Sequence, residues 1–368
     1  MSKSVYIILL FAASLWFAGC RKGEYTEELP ALMTLKINVG LSGSLPETRA
    51  DYSDAENEDE KMHSLRVIIV RPNGVVEKTE YIDLENEPVT ERVCEFKEIV
   101  SGESKRIFLV VNEHATKTEE NGIVRPVVSY DFSKIGQGEL FPVDTIYNLT
   151  VCLNGKTEQL TGPLPMSDMH QVEIPRYSAD GQEHSLEVPL TVRRIAVKFT
   201  YYVTNKSDKN LRVVGLKMEK MAHSEYFMPR EFDGGYFVVP SVNGSNEYYS
   251  FLHNFSKAID IPAKAENIHL LQQAGEKPVY LLEGKYEDEK SDEEDTMLNY
   301  KMALKLQCDE FGKDSWETTF EYFPSLPEYL RRNTHVVVFA TIQPDLEIKC
   351  EVHVHPYIGI PLEPDFGL

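Results

Sequence analysis

The sequence predicts an all-β protein folded into two β-sandwich domains. Apolar and polar side chains alternate with a period of two in many short segments, and these segments are rich in β-branched and aromatic residues. Turn-forming residues separate them, as at 71–74, which carry an Asn-Gly hairpin signal. Many short strands joined by turns are typical of sandwiches, and 368 residues suffice for two domains. Helical periodicity is scarce, and the best candidate is a short helix over 326–332.

The N-terminal residues have the features of a secretory signal. Lys3 precedes an apolar run over 5–18, which is shorter than the ~20 residues that span a bilayer. An Ala-Gly pair comes directly before Cys20, as in a bacterial lipobox, so we predict a signal peptide over 1–19 and acylation of the Cys20 thiol. An ordinary signal peptide followed by a coincidental cysteine is the alternative. More than one acyl chain on Cys20 would hold the exported chain stably on the outer membrane.

The charge and the remaining cysteines exclude several classes of function. A net charge of -21 argues against nucleic acid as a partner, because phosphates are bound by clusters of Lys and Arg. Four cysteines follow Cys20, namely Cys94, Cys152, Cys308 and Cys350, and none forms a CxxC pair, which excludes a zinc knuckle or a thioredoxin-like motif. Export permits disulfides. However, Cys308 and Cys350 occupy apolar positions of alternating strands, so we predict four buried thiols.

The first predicted strand carries its apolar side chains on one face. They are Met33, Leu35, Ile37, Val39 and Leu41. The following stretch, 45–61, contains Arg49 and a dense acidic run over 51–60, which is typical of a solvated, mobile loop. Further strands are predicted over 65–70, 75–84, 106–112, 186–203 (two strands), 236–239, 279–282, 300–308, 335–342 and 346–354. A change from loop-rich to strand-rich sequence near Pro189 marks the predicted border between the domains.

Motifs that carry chemistry are missing from the sequence. It contains no GxSxG elbow, no HExxH helix and no GxGxxG turn, so we predict no catalytic residue and no cofactor. His353 and His355 share one face of a strand, a geometry that can chelate a metal ion. Because no third ligand is implied, two solvent-facing histidines are the preferred interpretation, and no metal site is predicted.

Several short motifs follow one another in a fixed order along the chain. After Cys20 and the first strand come ETRA at 47–50, KMHSLRVIIV at 61–70, LVVN at 109–112, PLPMS at 163–167, LTVRRIAV at 190–197, VYLLE at 279–283, RRNTH at 331–335 and LEIKCEV at 346–352. In these motifs and their order the chain resembles the fimbrillins of type V pili, made by Bacteroidetes, and the resemblance covers nearly its whole mature length.

The resemblance implies a fold and a maturation route. The expected fold is two sandwich domains of transthyretin-like topology, over 50–189 and 190–368. Family members are exported as lipoproteins and are then cut by a trypsin-like protease after an arginine that follows the first strand. Arg49 stands at that position, so the bond between Arg49 and Ala50 is the predicted cleavage site. Removing residues 20–49 would discard the lipid anchor together with the first strand.

The consequence of that cleavage follows from the strand pattern. Each apolar side chain of the first strand stabilises the fold by roughly 1.5–3 kcal/mol when it is buried, so its removal leaves an apolar groove with unpaired edges. A strand from a neighbouring subunit can fill such a groove. A matching candidate near the C-terminus presents Leu346, Ile348, Cys350, Val352 and Val354 at alternate positions. The alternative is that 346–354 forms a permanent strand of its own domain.

The resemblance implies a structural, non-enzymatic subunit of a cell-surface pilus, with other pilus subunits as partners. A typical shaft subunit ends soon after a tryptophan-bearing segment, whereas this chain has Tyr357 there, which favours a tip or accessory subunit as an alternative. A glycan-binding protein that stays anchored by its lipid is a further alternative, for which Tyr248 and Tyr249 are candidate aromatic contacts. Thr145 and Thr296 stand in triplets that look like the O-glycosylation sequon of Bacteroidetes.

The lipoprotein prediction is tested by the substitution Cys20→Ser. Because the thiol is the predicted acylation site, we expect the variant to incorporate no labelled fatty acid and to accumulate as an unprocessed precursor. Metabolic labelling followed by electrophoresis measures both. Fatty-acid labelling of the variant at the wild-type level would contradict the prediction.

Overall fold

The computed structural model confirms the predicted all-β fold. It describes residues 31–42, 57–119, 122–153, 155–178, 182–230, 248–285, 301–308, 312–320 and 329–356. Helical segments within these ranges are short: the 3-10 turns Glu58–Glu60 and Phe132–Lys134, and the α-helices α1 (Val143–Tyr147) and α2 (Leu270–Ala274). None of the helices in the described ranges is long and apolar enough to cross a membrane.

The largest sheet has seven strands in the order β3-β2-β5-β10-β11-β1-β4. Their bounds are β1 (Leu32–Leu41), β2 (Ser64–Val70), β3 (Val76–Asp83), β4 (Glu91–Val100), β5 (Ser104–Val111), β10 (Met166–Glu173) and β11 (Ser185–Arg194). The hairpin predicted at 71–74 joins β2 to β3, and its Gly74 has a φ of 84°, which suits glycine. The predicted domain border near Pro189 falls inside β11.

The first strand, β1, lies inside this sheet. It pairs in parallel with β11 from Thr34↔Ser185 to Leu41↔Val192 and antiparallel with β4 from Leu32↔Val100 to Gly40↔Glu91. β4 ends the order, so β1 is its one neighbour in the sheet as described. β11 reaches β10 only through its last two residues, Arg193 and Arg194. The whole span of β11 before those residues therefore depends on β1 for its ladder.

Both arms of this sheet pack on one buried cluster, which we call the β1 core. The alternate apolar residues of β1 all enter it: Met33, Leu35, Ile37, Val39 and Leu41, each no more than 3% exposed. β4 contributes Cys94, Phe96 and Ile99, whereas β2 and β5 contribute Leu65, Val67, Ile69, Ile107, Leu109 and Val111 from the other arm. Two arms that face each other across apolar side chains form a β-sandwich.

Most of the strands after β11 form two further sheets. One has the order β16-β12-β22-β23 with β17 also on β12, from β12 (Val197–Asn205), β16 (Ile268–His269), β17 (Val279–Leu281), β22 (Thr334–Ile342) and β23 (Ile348–Pro356). The other has the order β15-β13-β19-β20, from β13 (Leu211–Ala222), β15 (Tyr248–Ile261), β19 (Lys301–Cys308) and β20 (Gly312–Phe320). Buried residues of both sheets share a second apolar cluster.

Three short sheets complete the described fold. They are β14 (Ser224–Tyr226) with β8 (Thr150–Cys152), β18 (Gly284–Lys285) with β21 (Tyr329–Leu330), and β7 (Val124–Pro126) with β6 (Thr116–Thr118) and β9 (Leu160–Thr161). The β14–β8 pair joins a strand from the second half of the chain to one from the first. The second apolar cluster likewise takes side chains from both halves, among them Phe108 and Phe227.

The structure does not confirm two of the elements predicted from the sequence. The helix predicted over 326–332 is wrong where the structure describes it, because Tyr329 and Leu330 form β21 and the next residues form a turn. Pairing with β18 outweighs the weak local preference for a helix. The strand predicted over 236–239 lies outside the described residues.

The packing of β1 predicts that substitutions at two adjacent residues change the free energy of unfolding by very different amounts. Leu35→Ala removes a side chain that is fully buried in the β1 core, so we expect a loss of about 2–5 kcal/mol in the free energy of unfolding. Lys36→Ala is the matched control, because Lys36 is half-exposed and its ion pair with Glu95 is long at 3.9 Å; we expect a change within about 0.5 kcal/mol. Denaturant unfolding followed by circular dichroism measures both. Equal losses would show that β1 does not pack as described.

Candidate functional site

The candidate site is the space that β1 occupies between β4 and β11, which we call the β1 slot. Neighbouring strands lie about 4.8 Å apart, so without β1 the facing edges of β4 and β11 would stand roughly 9.6 Å apart. That gap is too wide for direct pairing and just wide enough for one strand. The β1 slot therefore fits another strand that meets both edges.

The β1 slot favours a strand that has an apolar side chain at every second position. Five apolar side chains of β1 fill it, and each contributes roughly 1.5–3 kcal/mol by leaving water. Side chains on the opposite face are half-buried and polar, such as Asn38, whose amide donates to the carboxylate of Glu91. Leu32, at the start of β1, is 56% exposed. A replacement strand needs apolar residues at alternate positions and tolerates polar ones between them.

Cys94 lies on β4 directly opposite Ile37 and faces the same core. It is a free thiol and is buried. Burial raises the pKa of Cys94 to about 11, with Glu80 adding to the rise and Arg92 opposing it. Because the thiolate is the reactive form, we expect Cys94 to react slowly with thiol reagents while β1 is in place. Its reactivity therefore reports whether the slot is filled.

The C-terminal end of β1 is held by two side chains from different parts of the chain. The Ser42 carbonyl accepts hydrogen bonds from Asn333 Nδ2 at 3.2 Å and from Arg194 Nη1 at 3.5 Å. Arg194 ends β11, whereas Asn333 lies in the turn before β22 and has a φ of 60°, a conformation that asparagine tolerates better than most residues. The strand end is thus tied to both halves of the described fold.

The end of the predicted acidic loop is also anchored here, which corrects the prediction that the whole run is solvated. Asp59 and Glu60 are buried, at 7% and 1% exposure. Glu60 pairs with Lys198 at 3.0 Å and accepts from the Tyr280 hydroxyl at 2.6 Å, and Asp59 pairs with Lys277. These cations stand far along the sequence, so the local charge pattern could not reveal the pairing.

Arg194 connects the two ends of the segment that contains Arg49. Its Nη1 donates to the Ser42 carbonyl and its Nε donates to the Glu60 carbonyl at 3.2 Å. Arg49 and Ala50 lie outside the described residues, between these two anchored points. Cleavage after Arg49 would leave Glu60 attached to the rest of the chain and would separate it covalently from Ser42.

A buried charge cluster supports the turn that carries Asn333. Arg332 Nη2 lies 2.6 Å from Glu225 Oε1 and 3.1 Å from Glu283 Oε1. Two carboxylates thus share one guanidinium. Burial raises the pKa of Glu225 to about 8; the Arg332 charge opposes this rise and the Glu283 charge adds to it. The network ties the Asn333 turn to β14.

The candidate donor segment forms β23, which pairs with β22 at every position from Thr334↔Pro356 to Ile342↔Ile348. Leu346 precedes the strand in a turn and has a φ of 70°. β23 ends its sheet, so it has one ladder in the described fold, whereas β1 has two. Its role as a donor stays a prediction.

The other predicted residues are distributed as follows. Cys20 and Thr296 lie outside the described residues, and Thr145 is exposed on α1. Cys152 is free and half-buried; the side chains of Cys308 and Cys350 are not among those described. His353 bonds to Glu351 at 2.7 Å, and among the described residues no group of three His, Cys, Asp or Glu could hold a metal ion.

Sequence reasoning missed Arg194, Asn333 and Glu60 as parts of the site. The available signal was the arginine pair between two predicted strands, since a charged residue within a β-rich run needs a partner when it is buried. The partner of Arg194 is Asn333, which stands 139 positions further along the chain. Only the fold brings the two side chains together.

The charge cluster predicts a pH dependence. A carboxyl whose folded pKa is raised adds stability below its unfolded pKa of about 4.5, and that stability is lost as pH rises towards about 8. We expect Glu225→Gln to remove this loss, so that the variant gains about 1–3 kcal/mol on the wild type between pH 5 and pH 8. Urea unfolding across this range measures the difference. Glu91→Gln, at an exposed position of β4, is the control. Parallel curves for wild type and Glu225→Gln would contradict the assignment.

Several solved structures have this fold, whereas no protein-family model matches the sequence and no curated protein does. A tip fimbrial protein, Mfa3 from Porphyromonas gingivalis, has a TM-score of 0.55 and 11% identity, covering 89% of this chain and 100% of that one. A candidate cell adhesion protein from Parabacteroides distasonis has a TM-score of 0.55 and 12% identity, covering 88% and 97%. Another from Bacteroides eggerthii has a TM-score of 0.50 and 11% identity, covering 89% and 97%. The chain shares the fold of these proteins, in line with the fimbrillin resemblance of its sequence.

Proposed function

We propose that this chain is a structural subunit of a cell-surface pilus, exported as a lipoprotein through Cys20, cut after Arg49 and assembled by strand exchange. The observation that carries the proposal is the position of β1, an internal strand whose connection to the rest of the chain contains the predicted cleavage site. The shared fold with fimbrial and adhesion proteins supports a role in a pilus or in adhesion.

The slot supplies the driving force for assembly. Loss of β1 unpairs the edges of β4 and β11 and exposes the inner face of the β1 core. Unpaired strand edges beside apolar surface are templates for another strand. Insertion of one strand restores both ladders and buries five apolar side chains again, which is the mode of assembly known as donor-strand complementation.

The proposed donor is the segment 346–354 of a second copy. Its five apolar positions at period two match those of β1, and it starts from an edge strand with one ladder. Transfer to the slot of another subunit would exchange one ladder for two. A contact in which the tail of one copy enters the slot of the next is heterologous and does not close, so it produces a filament.

The proposal also sets partners and place. A trypsin-like protease cuts the connection, the outer membrane holds the precursor through its lipid, and the mature chain lies in the pilus at the cell surface. The chain acts through its surfaces and its strands rather than through catalysis, and it uses no cofactor.

A tip subunit is the second candidate function. One of the similar structures is a tip fimbrial protein, and Tyr357 stands where shaft subunits of the resembled family carry tryptophan. A tip subunit accepts one strand and donates none. Cleavage would then open the slot without producing a ladder of oligomers.

Limited trypsin treatment of the chain, with Cys94 as the reporter, tests the proposed function. We expect the first cut after Arg49, because its place beside a dense acidic run is typical, by sequence, of the segments where nicking concentrates. Release of β1 would then expose Cys94, so its reaction with a thiol reagent should accelerate at least about tenfold, as the thiol leaves the buried site that raises its pKa. Peptide mass mapping identifies the labelled cysteine, and native electrophoresis detects oligomers.

Arg49→Gln is the matched control, since it blocks the cut and should keep Cys94 unreactive. Deleting residues 346–368 should abolish oligomers while cleavage and Cys94 labelling persist. Cleavage and labelling without oligomers would favour the tip subunit. Resistance at Arg49 in cells that retain the lipid would overturn the proposal in favour of the anchored glycan-binding protein.

A further inference from the structure

We propose that Arg194 and Asn333 form a binding site for a main-chain carbonyl at the end of whichever strand occupies the β1 slot. We call this pair the carbonyl clamp. The inference rests on the proposed strand exchange for its biological use, where the carbonyl comes from a second copy of this chain. In the described chain the clamp holds the Ser42 carbonyl.

The orientation of the Asn333 amide is fixed by Arg194. Asn333 Oδ1 accepts from the Arg194 main-chain N–H at 3.3 Å and from Arg194 Nη1 at 3.3 Å. If the amide were flipped, its NH₂ group would face the two N–H donors of Arg194. Donors cannot accept a hydrogen bond, so that orientation is unfavourable. The Nδ2 donor of Asn333 therefore points at Ser42. Both groups at the carbonyl are donors, so the clamp takes an acceptor.

Hydrogen bonds outside β1 help to hold the clamp in position. Arg194 is 2% exposed and Asn333 is 4% exposed. Arg194 Nε is held by the Glu60 carbonyl, and the Asn333 main-chain N–H donates to the Ala196 carbonyl at 2.7 Å. These bonds do not involve β1, so they persist when β1 leaves. The donors that faced Ser42 then lose its carbonyl, and a carbonyl of the inserted strand can take the same place.

The position of the clamp sets a length for the inserted strand. Ser42 is the first residue after Leu41, the last apolar position of β1, and its N–H continues the ladder by donating to the Val192 carbonyl at 2.9 Å. An inserted strand therefore needs one residue beyond its fifth apolar side chain. In the candidate donor placed in the orientation of β1, Val354 replaces Leu41 and the His355 carbonyl enters the clamp. A strand shifted by two residues leaves the clamp empty or displaces an apolar side chain.

The clamp contacts a main-chain group, so its two hydrogen bonds do not select a side-chain type at that position. Selection for apolar side chains belongs to the β1 core and selection for register belongs to the clamp. The two requirements together distinguish a complete donor strand from any shorter apolar segment.

The first test uses the intact chain and hydrogen exchange. Asn333→Asp keeps the side-chain size, the tolerance of positive φ and the acceptor for Arg194, but it removes the donation to Ser42. We expect the amides of Leu41 and Ser42 to exchange about tenfold faster, the effect of losing one hydrogen bond to the strand end. An unchanged exchange rate at these two amides would overturn the clamp.

Asn112→Asp is the matched control. Asn112 is also a buried asparagine with positive φ, at 3% exposure and 56°, and its Nδ2 donates to the carbonyls of Lys61 at 3.0 Å and Leu164 at 2.7 Å. None of these hydrogen bonds of Asn112 involves a residue of β1. We expect Asn112→Asp to leave exchange at Leu41 and Ser42 unchanged relative to its effect elsewhere in the sheet. Acceleration at both amides by the control as well would show a general loss of stability and would overturn the specific assignment.

The second test uses the chain after trypsin treatment and two synthetic peptides. One peptide covers residues 31–42 and the other covers 31–41, each with a C-terminal amide, so that only the first carries the Ser42 carbonyl. We expect the shorter peptide to bind the wild-type slot about tenfold more weakly and to bind the Asn333→Asp slot as well as the longer one does. Equal binding of the two peptides to the wild type, or the same difference in the variant, would contradict the clamp.

The two proposals fail in different ways. If the treated wild-type chain binds both peptides and forms oligomers, but Asn333 has no influence on either, the clamp is wrong and strand exchange stands. If the treated chain binds neither peptide and forms no oligomers, strand exchange is wrong, and the exchange rates of the intact chain still decide whether Asn333 holds the Ser42 carbonyl.

Discussion

Two hydrogen-bonded ladders along a single strand hold the largest sheet of this protein together. β1 pairs with β11 on one side and with β4 on the other, and within the described sheet β4 has no other neighbour. Pairing with β1 holds β4 in the sheet, and this places the apolar side chains of β4 in the β1 core. One segment of ten residues thus organises strands that come from distant parts of the chain. An internal strand of this kind is costly to lose and easy to replace with a similar one.

The polar side of the site depends on Arg194. This guanidinium is almost fully buried, and it contacts the end of β1, the turn before β22 and the segment that carries Glu60. A buried charge without partners is strongly unfavourable, whereas a satisfied one defines a single arrangement of its surroundings. The nearby pair of Glu60 and Lys198 acts in the same way, because each charge neutralises the other inside the fold. Apolar packing stabilises this region, and the paired buried charges determine how its segments are arranged.

Much of the fold could be predicted because alternation is a local property of the sequence. The strands around Leu35, Val67 and Leu109 show it within a few residues, and the structure places each of these side chains in the β1 core. The helix expected over 326–332 fails because β21 pairs with β18, and Arg332 reaches Glu283, which stands 49 positions away. Local preference has no information about such partners.

The site itself was predicted only in part. The alternating apolar face of β1 is visible in the sequence, whereas its flanks at Glu91–Val100 and Ser185–Arg194 follow from the topology. Asp59 and Glu60 look like the end of a solvated charge run because the lysines that pair with them, Lys277 and Lys198, stand 218 and 138 positions away. Charge patterning indicates exposure by default, and a distant counter-ion reverses that expectation.

The position of β1 at the start of the chain has a consequence for the order of folding. β1 is synthesised before both of its partners, and it pairs in parallel with a strand that ends at residue 194. Pairing between residues so far apart in sequence is slow, because a long loop must close first. Until β11 has formed, the five apolar side chains of β1 lack part of the core that buries them. A chaperone that shields an extended apolar segment near the N-terminus would therefore act at the step where this protein is most prone to aggregate.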